Sequence, residues 1–281
     1  MRPDYRTRFA PSPTGLLHLG HAFSALTAWD RAQAVGGSFL LRMEDIDRPR
    51  CRPEFEQAIY EDLQWLGLSW PRPFRQSDRM GSYRAALGRL GMSGLIYPCR
   101  CTRADIKAAL SAPQEGVPVG PDAVIYPGTC RGRGMEEAGP DDALRLDMRR
   151  AVASLGNAGF QENGPLYPGW HRLDPDQLVA ELGDVVLARR DIGTSYHVAV
   201  VVDDAAQRVT EVVRGVDLFS ATPIHRLLQV LLELPHPNYW HHDLIRDEHG
   251  KRLAKRDDAR AIRAYRAEGA TPEDIRRMVG L

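Results

Sequence analysis

The stretch Arg8-Phe-Ala-Pro-Ser-Pro-Thr-Gly-Leu-Leu-His-Leu-Gly-His21 decides how the rest of the chain is interpreted. It begins as an extended run, is interrupted by two prolines, and can turn at Gly15 into the helical pattern that follows. A strand that leads through a tight turn into a helix directs backbone N–H groups and the positive helix end toward an anion. His18 and His21 lie three residues apart and share one face of the first helical turn. The stretch predicts either a polyphosphate site to which both imidazoles donate, or a solvated loop.

Composition indicates an ordinary globular protein. Of its 281 residues 26% are charged and 43% hydrophobic, and acidic and basic residues balance at 37 each. A surface for nucleic acid must therefore be a local basic patch, because the whole chain does not attract polyanions. No apolar run is long enough to span a membrane, and the first residues do not form a secretory signal. With four cysteines, too few for a disulfide scaffold, we expect a cytoplasmic protein with reduced thiols or a metal.

A second informative stretch is Gly36-Gly-Ser-Phe-Leu-Leu-Arg-Met-Glu-Asp-Ile-Asp47. The glycine pair turns the chain, and residues 38–43 are typical of a buried strand that ends in carboxylates. Ligands of open α/β sheets bind beyond the carboxyl ends of the strands, so Glu44 is placed to meet the ammonium group of a substrate. Alternatively, Glu44 and the aspartates after it cap the following segment.

Cysteines gather in two short segments, Tyr97-Pro-Cys-Arg-Cys101 and Tyr126-Pro-Gly-Thr-Cys130. Three thiolates favour zinc over a hard cation, and Tyr126 offers an unusual oxygen as the fourth ligand. Spacing alone leaves zinc and unligated thiols as alternatives.

Three apolar runs occupy the second half of the chain: 184–191, 194–203 and 209–215. The middle run predicts a strand or a buried helix equally well. Tyr196 and Arg214 lie in or at the end of these runs, where a polar tip needs a partner. Each of the two side chains can meet a ligand. Alternatively, Tyr196 is a core residue whose hydroxyl has a partner inside the protein, and Arg214 forms an ion pair with Asp217.

Helical patterns complete the elements that the sequence predicts. Two amphipathic helices are expected at 53–68 and 82–90, and the clearest helix begins at Thr222, which is placed to cap it. The chain ends with a helical pattern at 259–268 and a helix that opens with the capping box Thr271-Pro-Glu-Asp.

The opening stretch resembles the His-Ile-Gly-His signature of class I aminoacyl-tRNA synthetases, and its full length is similar to the start of the glutamyl branch. The Arg-x-Glu-Asp-x-Asp pattern that contains Glu44 resembles the second signature of that branch. The resemblance implies an α/β fold: a class I synthetase Rossmann-like parallel sheet with an inserted zinc-binding module, a short helical C-terminal region and no anticodon-binding domain. The ranges implied are 1–97 and 184–240 for the halves of the catalytic domain, 98–183 for the inserted module, and 241–281 for a signature loop and the C-terminal helices.

The same resemblance implies the functional residues. Glutamate-binding positions are matched by Arg8, Ala10, Ser12, Glu44, Tyr196 and Arg214. ATP-binding and catalytic positions are matched by His18, Gly20, His21 and Lys255. The zinc ligands of the branch are matched by Cys99, Cys101, Tyr126 and Cys130.

The basic run Arg252-Leu-Ala-Lys-Arg256 resembles the Lys-Met-Ser-Lys-Ser signature, which steadies the triphosphate as pyrophosphate leaves. Lys255 matches the second lysine of that signature. Two positions depart from it, because Arg252 replaces the first lysine and Ala254 removes the hydroxyl; Leu253 and Arg256 complete the loop.

Two features resemble the short paralogues of the branch, the glutamyl-queuosine tRNA(Asp) synthetases. The residues after Arg256 leave no room for a large anticodon-binding domain, and Val200 stands where the ordinary enzyme has asparagine. The resemblance implies activation of L-glutamate with ATP and Mg²⁺ without tRNA, followed by transfer to queuosine in the anticodon of tRNA(Asp). It implies a monomer with no membrane partner. The alternatives are a truncated glutamyl-tRNA synthetase that charges tRNA(Glu), a non-catalytic RNA-binding relative, and a nucleotidyltransferase of the same fold acting on another small acid.

Overall fold

The computed structural model describes residues 4–110, 125–245 and 260–281. The strands are β1 (Arg6–Phe9), β2 (Ser38–Met43), β3 (Phe74–Arg75), β4 (Ile96–Cys99), β5 (Ala143–Leu146), β6 (Gly159–Glu162), β7 (Gly169–Arg172), β8 (Val186–Ala188), β9 (Glu211–Gly215) and β10 (Asn238–His242). The helices are α1 (Leu19–Ala34), α2 (Pro53–Trp65), α3 (Met80–Met92), α4 (Arg103–Leu110), α5 (Met148–Ala151), α6 (Pro175–Gln177), α7 (Tyr196–Ala206), α8 (Thr222–Leu231), α9 (Ile262–Ala267) and α10 (Pro272–Val279).

Parallel strands form the centre of the molecule. Strands β1, β2 and β3 pair in parallel, and β10 pairs in parallel with both β9 and β6. The two groups meet where the backbone N–H of Thr210 donates to the carbonyl of Arg6 at 3.0 Å. The strand order is therefore β3-β2-β1-β9-β10-β6, with β7 antiparallel at the edge. This arrangement confirms the predicted α/β fold with a parallel sheet, and it brings the carboxyl ends of β1, β2, β9 and β10 to one edge.

A separate antiparallel sheet has the order β4-β5-β8, with Cys99 at the end of β4 and the segment 126–130 packed beside it. Strands β6 and β7 also lie within the range 98–183, but they pair with the main sheet through β10. This stretch of chain thus contributes to both sheets.

The C-terminal helices pack on α1, the helix that begins at the paired histidines. Ile275 and Val279 of α10 join the apolar cluster formed by the buried alanines of α1. Arg276 binds both carboxylate oxygens of Asp30 on α1, at 2.8 and 2.9 Å. At the start of α9, the N–H of Ile262 donates to the carbonyl of Leu17 at 2.8 Å. The α9–α10 pair therefore supports the turn that precedes α1.

Most predicted elements are present, with three informative differences. Strand β2 has the predicted bounds, and Thr271 caps α10 as expected. Residues 196–206 form a helix, which resolves the ambiguity of the run 194–203. The predicted cap at Thr222 is wrong, because Ala221 occupies the N-cap position and the Thr222 hydroxyl instead accepts a hydrogen bond from Arg214. The helical pattern predicted at 259–268 is shorter in the structure, since α9 covers only Ile262–Ala267.

Within the described ranges, no helix combines the length and apolarity that a membrane span requires.

Candidate active site

A cavity of about 400 Å³ opens at the carboxyl ends of β1, β2, β9 and β10. It brings together residues from the opening stretch, the end of β2, the start of α7 and the end of β9. The predicted residues that line it are Arg8, Ala10, Ser12, His18, Gly20, His21, Glu44, Tyr196 and Arg214. Arg8 and Arg214, which are 206 positions apart in sequence, therefore line one cavity.

Arg214 is a buried cation surrounded by neutral acceptors. Its Nη2 donates to the hydroxyl of Thr222 at 2.8 Å, and its Nε donates to Nε2 of His241 at 3.0 Å. Its Nη1 lies 3.2 Å from Nδ1 of His225 and 3.4 Å from the hydroxyl of Tyr196. Burial, followed by the charge of Arg214, lowers the pKa of His225 well below its ordinary value, so this imidazole is neutral. Among the described residues the guanidinium therefore has no carboxylate in direct contact, and the carboxylates that share the cavity with it are those of Glu44 and Asp217.

These contacts bear on the alternatives for Arg214 and Tyr196. No ion pair joins Arg214 to Asp217 or to another carboxylate in the described part of the chain. The Tyr196 hydroxyl has a partner, but that partner is Arg214 at the wall of the cavity. Both side chains line the cavity, and their ligand role stays a prediction.

Behind Arg214 lies a buried couple that sequence reasoning missed. Nδ1 of His241 lies 2.5 Å from one carboxylate oxygen of Glu162, and both side chains are fully buried. The other oxygen of Glu162 accepts the backbone N–H groups of His241 and Gly164, at 2.9 and 2.7 Å. Because Nδ1 donates to Glu162, Nε2 of His241 is unprotonated and can accept from Arg214. Burial lowers the pKa of His241, which Glu162 opposes only in part, so the ring stays neutral.

Arg8 is held on the other side of the cavity by Asp204. Its Nε donates to Asp204 at 3.2 Å, and its Nη1 donates to the carbonyl of Val213 at 3.2 Å. The same carboxylate oxygen accepts from Arg42, a fully buried side chain, at 2.6 Å. Arg42 in turn donates to Glu44 at 3.2 Å. Burial raises the pKa of Glu44, and Arg42 opposes this effect. Its hydrogen bond with Arg42 makes the Glu44 carboxylate part of a charge network at the cavity rather than a helix cap.

The paired histidines cap the helix that they begin. Nδ1 of His18 accepts the N–H of Gly20 at 3.1 Å, and Nδ1 of His21 accepts the N–H of His18 at 3.1 Å. Their ring centroids lie 3.8 Å apart. With Nδ1 as acceptor, each neutral ring carries its proton on Nε2, so both rings are prepared as donors from that nitrogen.

The predicted signature loop lies outside the described residues. Arg252, Leu253, Ala254, Lys255 and Arg256 all fall between the ranges 125–245 and 260–281. Ile245 and Ala261 flank this stretch; Ile245 lines the cavity, and Ala261 pairs with the backbone of His18.

The three predicted cysteine ligands cluster beside Tyr126. The sulfur atoms of Cys99, Cys101 and Cys130 all lie within 4.8 Å of one another, with Cys101 and Cys130 at 3.5 Å. The Tyr126 oxygen is 3.3 Å from the sulfur of Cys101 and 3.5 Å from that of Cys99. Tetrahedral zinc with Zn–S bonds of about 2.3 Å separates its sulfur ligands by about 3.8 Å, so this donor set fits a zinc ion. Arg145 donates to the sulfur of Cys99 at 3.3 Å.

Comparisons with known proteins agree with this geometry. The family described as tRNA synthetases class I (E and Q), catalytic domain, matches residues 4–123 and 174–281. A glutamyl-Q tRNA(Asp) synthetase of Rhodobacter capsulatus is 59% identical over 279 residues, covering 98% of this chain and 99% of the relative. A protein of the same name from Nitratidesulfovibrio vulgaris is 41% identical, covering 96% of this chain and 83% of the relative.

A solved structure gives the same result for the fold. The glutamate-tRNA synthetase of Elizabethkingia anophelis superposes with a TM-score of 0.76 at 25% identity. The superposition covers 99% of this chain, which spans 61% of that longer chain. The chain therefore belongs to the glutamyl-Q tRNA(Asp) synthetase family of class I tRNA synthetases, and it is a ligase of the aminoacyl-tRNA synthetase type.

Proposed function

We propose that this chain activates L-glutamate with ATP, without tRNA, and transfers the glutamyl group to queuosine in the anticodon of tRNA(Asp). The observation that carries the glutamate assignment is the buried guanidinium of Arg214, whose described acceptors are all neutral. A carboxylate ligand supplies the missing negative charge and matches the guanidinium fork by paired bonds. We expect the protein to act as a cytoplasmic monomer.

The amino acid fits the charges of the cavity in one orientation. Its side-chain carboxylate faces Arg214 and Arg8, and its ammonium group faces Glu44. Ala10 and Ser12, on the loop after β1, line the space between them. Glutamine fits less well, because its amide lacks the charge that the buried guanidinium requires.

ATP occupies the corner formed by the start of α1. The Nε2–H groups of His18 and His21 donate to phosphate oxygens, and the backbone at Gly20 allows the nucleotide to approach. Mg²⁺ would neutralise charge on the pyrophosphate, and the resemblance of the signature loop assigns the same role to Lys255. The α-carboxylate of glutamate attacks the α-phosphorus, the bond to the bridging oxygen breaks, and pyrophosphate leaves. Positioning and charge neutralisation by these groups account for the catalysis, since the step needs no covalent intermediate with the protein.

The transfer step follows from the adenylate. A hydroxyl of the queuosine ring attacks the glutamyl carbonyl and gives up its proton, the bond from that carbonyl carbon to the phosphate oxygen breaks, and AMP leaves with the bonding electron pair and takes up the proton. The names of the relatives support tRNA(Asp) as the acceptor.

The decisive experiment measures the two steps separately. We expect ATP–pyrophosphate exchange that depends on glutamate, in the absence of tRNA, with far weaker exchange for glutamine and aspartate. We then expect labelled glutamate on queuosine-containing tRNA(Asp) and none on tRNA(Glu). Charging of tRNA(Glu) would instead identify a truncated glutamyl-tRNA synthetase. Absence of exchange with every amino acid would identify a non-catalytic relative, and exchange with another acid would identify a different nucleotidyltransferase.

Glu162→Gln is expected to weaken glutamate binding without touching the substrate. The oxygen that accepts from His241 and Gly164 must remain an oxygen, so the new amide NH₂ faces Nδ1 of His241. This moves the imidazole proton to Nε2, so that two N–H donors face each other and the hydrogen bond from Nε of Arg214 is lost. A lost hydrogen bond to a charged group costs about 1.5–3 kcal/mol, so we expect KM for glutamate to rise about 10- to 100-fold.

Steady-state exchange kinetics measure this effect, with kcat and KM for ATP as internal references that change much less. Glu181→Gln, at an exposed position on another element, is the matched control. An unchanged KM for glutamate in Glu162→Gln would show that the couple does not orient Arg214.

We propose zinc as a structural ion held by Cys99, Cys101, Cys130 and Tyr126. Elemental analysis is expected to give about one zinc per chain, because the donor set closes a tetrahedral site. Cys130→Ser is expected to lose most of this zinc, whereas the cysteine outside the cluster, Cys51, can be replaced by serine without loss. If wild-type protein purified from zinc-supplemented cells contains no zinc, the proposal is contradicted.

A further inference from the structure

The hairpin formed by β6 and β7 exposes aromatic side chains at the edge of the main sheet. Trp170 is 57% exposed and Tyr167 is 49% exposed, and Leu166 beside them is 38% exposed. Soluble proteins bury such side chains where they can, so an exposed group of them marks an interaction surface. Neither ring has a role in the proposed activation step.

Trp170 packs against β6 at Gly159, a position without a side chain. A Cβ on Gly159 would lie 2.6 Å from Cζ2 and 2.7 Å from Cε2 of the indole. The ring therefore packs on the backbone of β6, and its remaining surface is open to solvent. Arg172 follows two residues later on β7, so it lies on the same face of the hairpin and is also exposed. The face thus combines an aromatic surface with a cation.

Ring contacts connect this hairpin to the cavity. The centroid of Tyr167 is 4.7 Å from that of Phe219, and Phe219 is 5.1 Å from His241, the acceptor of Arg214. Leu218, the neighbour of Phe219, lines the cavity itself. Tyr167 therefore lies on the flank of the cavity, whereas Trp170 and Arg172 alternate with His171 along β7 and lie on the other face of this edge strand.

We propose that Tyr167, and Trp170 on the opposite face of the edge strand, stack the nucleobases that flank the modified base in the anticodon loop of the tRNA, with Arg172 beside Trp170 on the RNA backbone. The proposal rests on the proposed function. For a hydroxyl on a base to reach the adenylate inside the cavity, that base must leave the loop stack. Its neighbours then lose a stacking partner, and an exposed aromatic beside the cavity replaces it. Aromatic rings alternating with cations are the pattern of single-strand binding surfaces.

Binding of a labelled anticodon stem–loop RNA, followed by fluorescence anisotropy, tests this proposal independently of catalysis. We expect Trp170→Ala and Tyr167→Ala each to raise Kd about 10-fold, and Trp170→Phe to restore most of the affinity. Arg172→Ala is expected to reduce the slope of log K against log salt by about one. Met92→Ala, which removes an 85% exposed apolar side chain from α3, is the matched control and should change nothing.

A blunt duplex with the sequence of the stem alone supplies the second control. Its weak binding should be the same for wild type and the aromatic variants, because it offers no unstacked base. Unchanged Kd for the stem–loop in the Trp170→Ala/Tyr167→Ala double variant would overturn the proposal. A concentration-dependent dimer in sedimentation, abolished by Trp170→Ala, would also overturn it by assigning the face to a second copy of this chain. Glutamate-dependent exchange without RNA should be normal in all these variants, so loss of exchange in the wild type would count against the proposed function alone.

Discussion

Arg214→Gln is expected to lower kcat/KM for glutamate in ATP–pyrophosphate exchange on the order of 10³-fold, the largest effect that we expect for a single change in the cavity. Truncating one member of a buried, hydrogen-bonded charge pair costs about 2–5 kcal/mol, because the partner charge is left desolvated and unpaired. Here that partner is the substrate carboxylate, and the glutamine side chain introduced at position 214 stays polar but is shorter and carries no charge. Exchange kinetics over a range of glutamate concentrations measure the loss.

Two further variants separate charge from geometry. Arg214→Lys keeps the charge but lacks the planar fork and the donors that reach Thr222 and His241, so we expect intermediate activity. Arg263→Gln, which removes an exposed arginine paired with Glu61, is the control and should be silent. The preference for glutamate over glutamine should also shrink in Arg214→Gln. Full exchange activity in that variant would remove Arg214 from the amino-acid site.

Elements with a strong local pattern could be predicted from the sequence. Strand β2 has the predicted bounds because two glycines and a carboxylate run delimit a mostly apolar segment. Helix α8 shows a one-sided leucine stripe, which only a helix satisfies. Helix α7 could not be assigned, because valines lie on several sides of the helix and the same run fits a buried strand equally well.

The cavity residues that carry a motif could also be located, and Arg8, Glu44, Tyr196 and Arg214 do line one cavity. Their supporting residues could not be found in this way. Glu162 and His241 are 79 positions apart and meet only because β6 joins the main sheet beside β10. A single sequence carries no local signal for such pairing. Thr222 shows the same limit, since a residue with a good capping pattern is used instead to accept from Arg214.

Asp204→Asn is expected to destabilise the fold by about 3–5 kcal/mol, the largest loss of stability among our predictions. Asp204 accepts from Arg8 at 3.2 Å and from Arg42 at 2.6 Å, and all three side chains are buried. Removing the carboxylate charge leaves two buried guanidinium groups, and the acidic side chains that remain near Arg42 are Glu44 and Asp203. Breaking a buried ion pair in this way costs more than a surface pair because neither cation can recover its hydration. Urea unfolding at neutral pH measures the difference in free energy of unfolding.

The pH dependence of this difference identifies its electrostatic origin. Burial alone would raise the pKa of Asp204, but Arg42 and Arg8 outweigh it and hold the pKa below its ordinary value. A carboxyl whose pKa is lower in the folded state contributes its full stability above the unfolded value, about 3.9, and loses it as the pH falls through the folded value. The gap between wild type and Asp204→Asn should therefore be constant near neutral pH and narrow under acid. Asp191→Asn, which removes a largely exposed partner of Arg189, should cost less than about 1 kcal/mol. A gap of equal size at acid and neutral pH would mean that Asp204 acts by shape and not by charge, and that Arg8 is held in the cavity by its carbonyl contact alone.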